Sequence, residues 1–160
     1  MASVSFRLCG FSFVELLASM AIVGLLASVA LPLATTTAQR SREIELRKAL
    51  RDIRGALDAY KLAVRQGRIA SSPESSGYPA NIDELVAGVD DLGRPGQKLY
   101  FLRRLPRDPM YTDLSVPAES TWGKRSFDSP PDRPREGRDV FDVYSLSDKR
   151  GLNGIPYAEW

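Results

Sequence analysis

The sequence predicts an α+β protein in which one long amino-terminal helix, transmembrane in its first half, packs on a small antiparallel β-sheet with long loops. Three observations predict this fold class. An uncharged apolar run lies near the start of the chain, and apolar residues then recur every three or four positions, as on one face of a helix. The remainder is rich in glycine and proline, which favours loops. Once the apolar run is subtracted, 160 residues leave one compact domain at most.

Composition excludes several functional classes. The 22 Lys and Arg residues against 20 Asp and Glu give a net charge of +2, which is not the basic excess of a nucleic-acid-binding protein. The chain contains no histidine, so histidine triads, histidine zinc sites and imidazole bases are excluded. Cys9 is the only cysteine and cannot form an intramolecular disulfide. We therefore expect neither a nucleic-acid partner nor a disulfide scaffold.

The uncharged run extends from Leu16 to Gln39 and is long enough for a membrane-spanning helix. Three interpretations of it are open: a cleaved secretory signal with a small-x-small site at residues 28–30, a plain signal anchor, or an anchor in which Glu15 has a function. A carboxylate at the centre of a membrane helix costs about 2.5 to 3.5 kcal/mol, and it persists where a cation pairs with it. The natural partner of Glu15 is an amino group.

A family resemblance rests on residues 10–17, which read GFSFVELL, and on the apolar helix after them. This stretch resembles the class III signal of type IV pilins and type II secretion pseudopilins. The resemblance implies that prepilin peptidase cleaves after Gly10 and that the same enzyme N-methylates Phe11. It also implies that Glu15 neutralises the terminal ammonium of a neighbouring subunit in an assembled filament.

The resemblance implies a type IV pilin-like fold and adds two assembly positions. Gly24 and Pro32 match helix breakers that recur in the family and bracket a stretch that can unwind in the filament. The chain is then expected to consist of a prepilin leader peptide, a transmembrane and assembly half of the helix, an amphipathic half, and a periplasmic α+β domain, at residues 1–10, 11–39, 40–66 and 67–160.

The spacing of apolar residues predicts that the helix continues to about Gln66 and stops at Gly67. One face carries a stripe at alternating intervals of four and three, which is Leu46, Leu50, Ile53, Leu57, Tyr60 and Val64. The opposite face is charged and includes a favourable pair between Glu43 and Arg47. We expect the stripe to pack on the protein's own sheet, because a coiled coil would need a longer heptad pattern.

Short elements are expected after Gly67. Asn81 is predicted to cap a short helix at residues 82–86. Alternating residues predict a strand from Asp139 to Leu146, and further strands are expected around Trp122 and from Tyr100 to Leu105. Together these strands would form a three-stranded antiparallel sheet against the helix.

The carboxyl-terminal part extends the resemblance to the G-type, major pseudopilins of type II secretion. The matching stretches are Tyr78-Pro79, residues 102–109, Trp122-Gly123, residues 139–145 and residues 154–160. G-type pseudopilins commonly hold calcium in the loop after the last long strand, which here is residues 147–154. Asp148 is the sole carboxylate of this loop and is a weak calcium candidate, because calcium prefers six to eight oxygens. We expect no tight metal site and no other cofactor, with Lys149 or Arg150 bonding loop carbonyls in place of the ion.

The resemblance implies a structural, non-enzymatic subunit that polymerises through its helix into a pseudopilus and drives protein export. Its implied partners are copies of itself, prepilin peptidase, minor pseudopilins, the inner-membrane assembly platform and the membrane. It implies a single-pass protein of the bacterial inner membrane with a periplasmic carboxyl-terminal domain, and after assembly a periplasmic filament. The numbers of Lys and Arg residues near the span, taken alone, would place the carboxyl-terminal domain in the cytoplasm. The signal motif is more specific than this charge count and favours the periplasm.

Two alternatives remain at this stage. One is a type IV pilus pilin or a minor pilin, which shares the same amino-terminal signal. The other, from a different class, is a membrane-anchored hydrolase that uses an Asp or a Ser. The sequence contains no histidine and no GxSxG-like motif, which makes the hydrolase the remote alternative.

Overall fold

A computed structural model describes residues 12–160, apart from the side chains of residues 29–32. The described chain contains helices α1 (Phe13–Arg65) and α2 (Glu84–Ala87) and strands β1 (Val89–Asp90), β2 (Lys98–Leu99), β3 (Trp122–Arg125) and β4 (Asp142–Ser145). Short 3-10 helices span Ala118–Thr121 and Tyr157–Glu159. The α+β class with a long amino-terminal helix is confirmed. The predicted leader and the processing positions Gly10 and Phe11 lie outside the described residues.

The chain divides into two units that meet between Gln39 and Arg40. The first unit holds the uncharged part of α1, whose large apolar side chains are exposed, for example Phe13, Met20 and Leu26. By length and composition, α1 is a helix that could cross a membrane. Exposed apolar side chains at this density need an apolar surrounding that the described chain itself does not supply.

The second unit has one core, built around the second half of α1. The predicted stripe is confirmed, because Leu46, Leu50, Ile53, Leu57 and Tyr60 are buried and Val64 packs against them. Three alanines widen the buried face, and the remaining core side chains come from the loops and strands: Ile69, Ile82, Leu85, Trp122, Val140, Val143 and Tyr157. The amphipathic half of α1 therefore packs within its own unit, as expected.

The end of α1 has a defined stop. Gly67 adopts a left-handed conformation with φ of +69°. The Gly67 N–H donates to the Val64 carbonyl and the Arg68 N–H to the Ala63 carbonyl, at 2.9 and 3.0 Å. These two bonds form a Schellman motif, which satisfies carbonyls that the last turn leaves free. The predicted stop at Gly67 is confirmed.

The strands differ from the prediction. The described residues form two separate two-stranded antiparallel sheets, β1 with β2 and β3 with β4, instead of one three-stranded sheet. No strand covers residues 100–105, because the N–H groups of Phe101 and Leu102 both donate to the Leu85 carbonyl in α2. The strand expected over residues 139–146 is shortened to Asp142–Ser145, since the Val140 N–H donates to Pro79.

The short helix α2 also differs in its cap. It begins at Glu84, Asp83 takes the cap position, and no side chain makes a capping hydrogen bond there. Asn81 instead contributes its backbone carbonyl, which accepts from the Glu84 N–H at 3.2 Å. The Glu84 carboxylate is engaged by the Tyr60 hydroxyl at 3.0 Å, so it faces α1 and does not close a capping box.

Candidate functional site

The predicted assembly position Glu15 lies in the first turn of α1. Its side chain is exposed, and no cation of the described residues comes within 4 Å of its carboxylate. Ser19 donates to the Glu15 backbone carbonyl at 2.7 Å, which leaves the carboxylate itself available. A carboxylate on an apolar helix is costly to bury unpaired, so it is suited to pair with a cation from another chain.

The two predicted breaker positions lie inside continuous helix. At Gly24 an added Cβ would meet no atom within 4 Å, so open space surrounds this position. The backbone of Pro32 is helical within α1, and its side chain is outside the described set. The unwinding expected of this stretch on assembly stays a prediction, because it concerns the filament.

Glu43 is the site residue that sequence reasoning missed. The helical pattern placed it on the charged face, but its side chain is 5% exposed. One carboxylate oxygen accepts from the Leu152 backbone N–H at 2.8 Å and from the Tyr157 hydroxyl at 3.0 Å. Arg47, its predicted partner, stacks its guanidinium over the Trp160 ring at 4.3 Å. Glu43 and Arg47 thus both hold the carboxyl-terminal segment.

The loop at residues 147–154 does not fit a calcium ion. Asp148 is exposed, and the Arg150 guanidinium donates to the Gly154 carbonyl at 3.0 Å. The positively charged Arg150 side chain thus already uses the Gly154 carbonyl, and the Glu43 carboxylate accepts from the loop's Leu152 N–H. Within residues 12–160 no three acidic or cysteine side chains gather as metal ligands. Asp148 is the sole carboxylate of residues 147–154, whereas calcium takes six to eight oxygens that normally include several carboxylates.

A second anchor joins α1 to the final segment. Arg54 donates to the Asp142 carboxylate at 2.7 Å and to the backbone carbonyls of Val143 and Trp160 at 3.2 and 2.8 Å. Arg125 reaches the other oxygen of Asp142 at 3.4 Å. One guanidinium thereby ties the helix, strand β4 and the last residue of the chain together, with the planar fork geometry that arginine supplies.

A buried Ser–Asp pair bears on the hydrolase alternative. The Ser145 hydroxyl donates to Asp108, whose other oxygen accepts from the Met110 N–H at 2.7 Å. Asp108 is 1% exposed and Ser145 is fully buried, so no substrate reaches either group. Burial raises the pKa of the Asp108 carboxyl, and the bonds from Ser145 and Met110 oppose this increase. The pair is a link between the 106–110 loop and β4.

Comparison with known proteins adds two findings. Residues 7–31 match the family described as the prokaryotic N-terminal methylation motif. The chain is also 27% identical over 146 residues to the type II secretion system core protein G of Klebsiella pneumoniae. This alignment covers 88% of this chain and 96% of that protein. No solved structure gives a significant match.

These findings agree with the geometry already described. The methylation motif covers the stretch in which Glu15 begins the apolar part of α1. The similarity to core protein G extends over most of the chain, so it is not confined to the amino-terminal motif. The motif, the long apolar helix and the similarity along most of the chain confirm the predicted resemblance to the pseudopilins of the type IV pilin-like superfamily.

Proposed function

We propose that this chain is the major subunit of a type II secretion pseudopilus, with a structural rather than an enzymatic role. In this proposal prepilin peptidase removes residues 1–10 and methylates Phe11, and the processed subunit waits in the inner membrane with its second unit in the periplasm. Subunits then polymerise through α1, with minor pseudopilins and an inner-membrane assembly platform as further partners. The growing filament drives protein export.

The observation that carries the proposal is the exposed carboxylate of Glu15 in the otherwise uncharged first half of α1, which begins inside a methylation motif. In a filament core, the ammonium of Phe11 from one subunit and the carboxylate of Glu15 from its neighbour would each be costly alone. Paired at about 4 Å, they offset much of the cost of removing them from water. The pairing also fixes the register of each added subunit.

The test is the substitution Glu15→Leu. It keeps α1 helical and makes it more apolar, so membrane insertion and cleavage after Gly10 should proceed normally. An ammonium left unpaired in the filament core should cost about 3 to 5 kcal/mol per subunit, which stops assembly. Mass spectrometry should show a processed chain starting at N-methyl-Phe11, while filaments and exported substrate are absent.

Ser19→Leu is the matched control. It adds an apolar side chain one turn further along the same helix and keeps the Glu15 carboxylate, so processing, assembly and export should all continue. If the Glu15→Leu protein assembled and exported substrate at the native rate, the pairing mechanism would be wrong. A chain that retained Met1 would contradict the processing step instead.

A further inference from the structure

The segment at residues 149–157 is a closed hairpin with an exposed tip. The Gly151 N–H donates to Ile155 at 2.9 Å, and the Tyr157 N–H donates to Lys149 at 3.1 Å. The Arg150 guanidinium closes the same turn through the Gly154 carbonyl. These bonds hold the tip in one conformation, which is the condition for a surface that binds without a large entropy cost.

The tip lies near the point where the apolar segment ends. The Leu152 N–H is 2.8 Å from a Glu43 oxygen, and Glu43 follows Gln39 by four residues. Four residues span at most about 14 Å even when fully extended. This limit is covalent, so it holds whatever angle the two units adopt. A membrane that contains the segment from Leu16 to Gln39 therefore places headgroups within reach of Leu152.

The side chains around this point are basic and apolar. Residues 40–48 and 147–155 carry six basic and three acidic side chains, and one of the acids, Glu43, is buried against the hairpin. Arg40, Arg42 and Lys149 are exposed, and their charged side-chain groups make no hydrogen bond or ion pair among the described residues. Leu152 and Ile155, in the same loop as Lys149, are 46% and 44% exposed. Basic side chains with adjacent aliphatic ones are typical of surfaces that bind anionic lipid.

We propose that Arg40, Arg42, Lys149, Leu152 and Ile155 form a docking surface for anionic phospholipid headgroups. The basic side chains contact phosphate groups, and the two aliphatic side chains enter the interface between headgroups and acyl chains. The surface seats the second unit on the membrane while the subunit waits for assembly. This inference rests on the membrane insertion in the proposed function, but it involves neither the filament nor Glu15.

The experiment uses the full chain with Cys9→Ser and a nitroxide attached at Leu152→Cys. The labelled protein is reconstituted into vesicles of phosphatidylglycerol or of phosphatidylcholine, and the label's collisions with oxygen and with a water-soluble nickel chelate are compared. In phosphatidylglycerol vesicles the label should collide more with oxygen and less with the nickel chelate than in phosphatidylcholine vesicles, as a lipid-exposed label does. A label at Leu92→Cys should stay exposed to water in both lipids. The Leu92 N–H donates to the Arg68 carbonyl just beyond the end of α1, about 35 Å along the helix from Glu43.

A charge series tests the chemistry of the surface. The double substitution Arg42→Gln with Lys149→Gln should lower the ratio of docked to undocked label about 25-fold, since each basic side chain at an anionic surface contributes about a factor of five. Lys98→Gln with Arg133→Gln removes the same charge from other exposed positions and should leave that ratio unchanged.

Three results would overturn the inference. One is a label at residue 152 that is equally aqueous in both lipids. Another is a label that is shielded from the nickel chelate in both lipids and more so at higher protein-to-lipid ratios. That result would assign the surface to contact between copies of this chain. The third is failure of the chain to float with vesicles, which would contradict the proposed membrane insertion as well, whereas flotation without docking contradicts the lipid surface alone.

Discussion

Glu43 is a single side chain on which the carboxyl-terminal hairpin depends. Position 43 precedes Leu46 by three residues and continues the spacing of the apolar stripe, so periodicity places it on the buried face although its charge favours the opposite face. The partners that bury it, Leu152 and Tyr157, lie more than 100 residues away in the sequence. By contrast, the predicted pair between Glu43 and Arg47 involves only neighbours in the helix. Long-range hydrogen bonds of this kind could not be predicted from local spacing.

Asp108 gives a prediction about pH. Its pKa is raised by burial, so folding favours the protonated carboxyl. Its contribution to stability is therefore fully present below the ordinary pKa of 3.8 and decreases as the pH rises through the raised pKa. As the pH rises through the raised pKa, the free energy of unfolding of the Asp108→Asn protein should increase relative to that of the native chain. Urea unfolding of residues 40–160 at a series of pH values measures this difference.

Asp113→Asn is the opposite control. The bonds from the Ser115 hydroxyl and N–H lower the pKa of the exposed Asp113 carboxyl. Its contribution is present above the ordinary pKa and is lost as the pH falls through the lowered one. The Asp113→Asn protein should therefore lose stability relative to the native chain as the pH rises. Equal pH profiles for the two substitutions would contradict the buried environment described for Asp108.

At the scale of elements, the helix was predictable and the sheets were not. The stripe from Leu46 to Val64 repeats over five intervals, which is enough to specify a face and a stop at Gly67. The strands are two to four residues long, too short for an alternating pattern to distinguish them from extended loop. Residues 100–105 look strand-like, but their first N–H groups are taken by the Leu85 carbonyl. Hydrogen bonds between distant parts of the chain therefore determine where the strands lie, and the periodicity of the sequence does not.

Gly55 inside α1 and Gly67 just beyond its end should respond to substitution by alanine with opposite changes in stability. Gly67 has φ of +69°, where a Cβ is strained, so Gly67→Ala should destabilise residues 40–160 by about 1 kcal/mol. Gly55 lies in the interior of α1 with open space around an added Cβ, so Gly55→Ala should stabilise by about 1 kcal/mol. Thermal and urea unfolding measure both. A stabilising Gly67→Ala would mean that the Schellman motif is absent in solution.

At the scale of the whole molecule, we predict that stability does not depend on calcium. The Arg150 guanidinium bonds the Gly154 carbonyl, and Asp148 is the sole carboxylate of residues 147–154. Ligand-linked stabilisation grows as RT ln(1 + [L]/Kd), which is close to zero for so weak a site. Chelation should therefore leave the Tm of residues 40–160 almost unchanged in a thermal unfolding experiment.

Arg150→Asp is the informative comparison for this prediction. It removes the guanidinium from the Gly154 carbonyl and adds a second carboxylate beside Asp148, which are the two changes that calcium binding requires of this loop. The Tm of this variant should be lower and should become responsive to added calcium. A fall of many degrees in the Tm of the native sequence on chelation would refute the cation-for-metal interpretation.

The anchoring of the last residues on α1 also sets the order of events during synthesis. Arg54 with Trp160 and Glu43 with Tyr157 join residues 106 and 114 positions apart. A ribosome makes the helix first, but its partners emerge only when the final turn of the chain has been made. Closing such distant contacts is slow compared with forming a helix. The packing of residues 149–160 against α1 is therefore a late step of folding, which can be completed only after the last residues have been made.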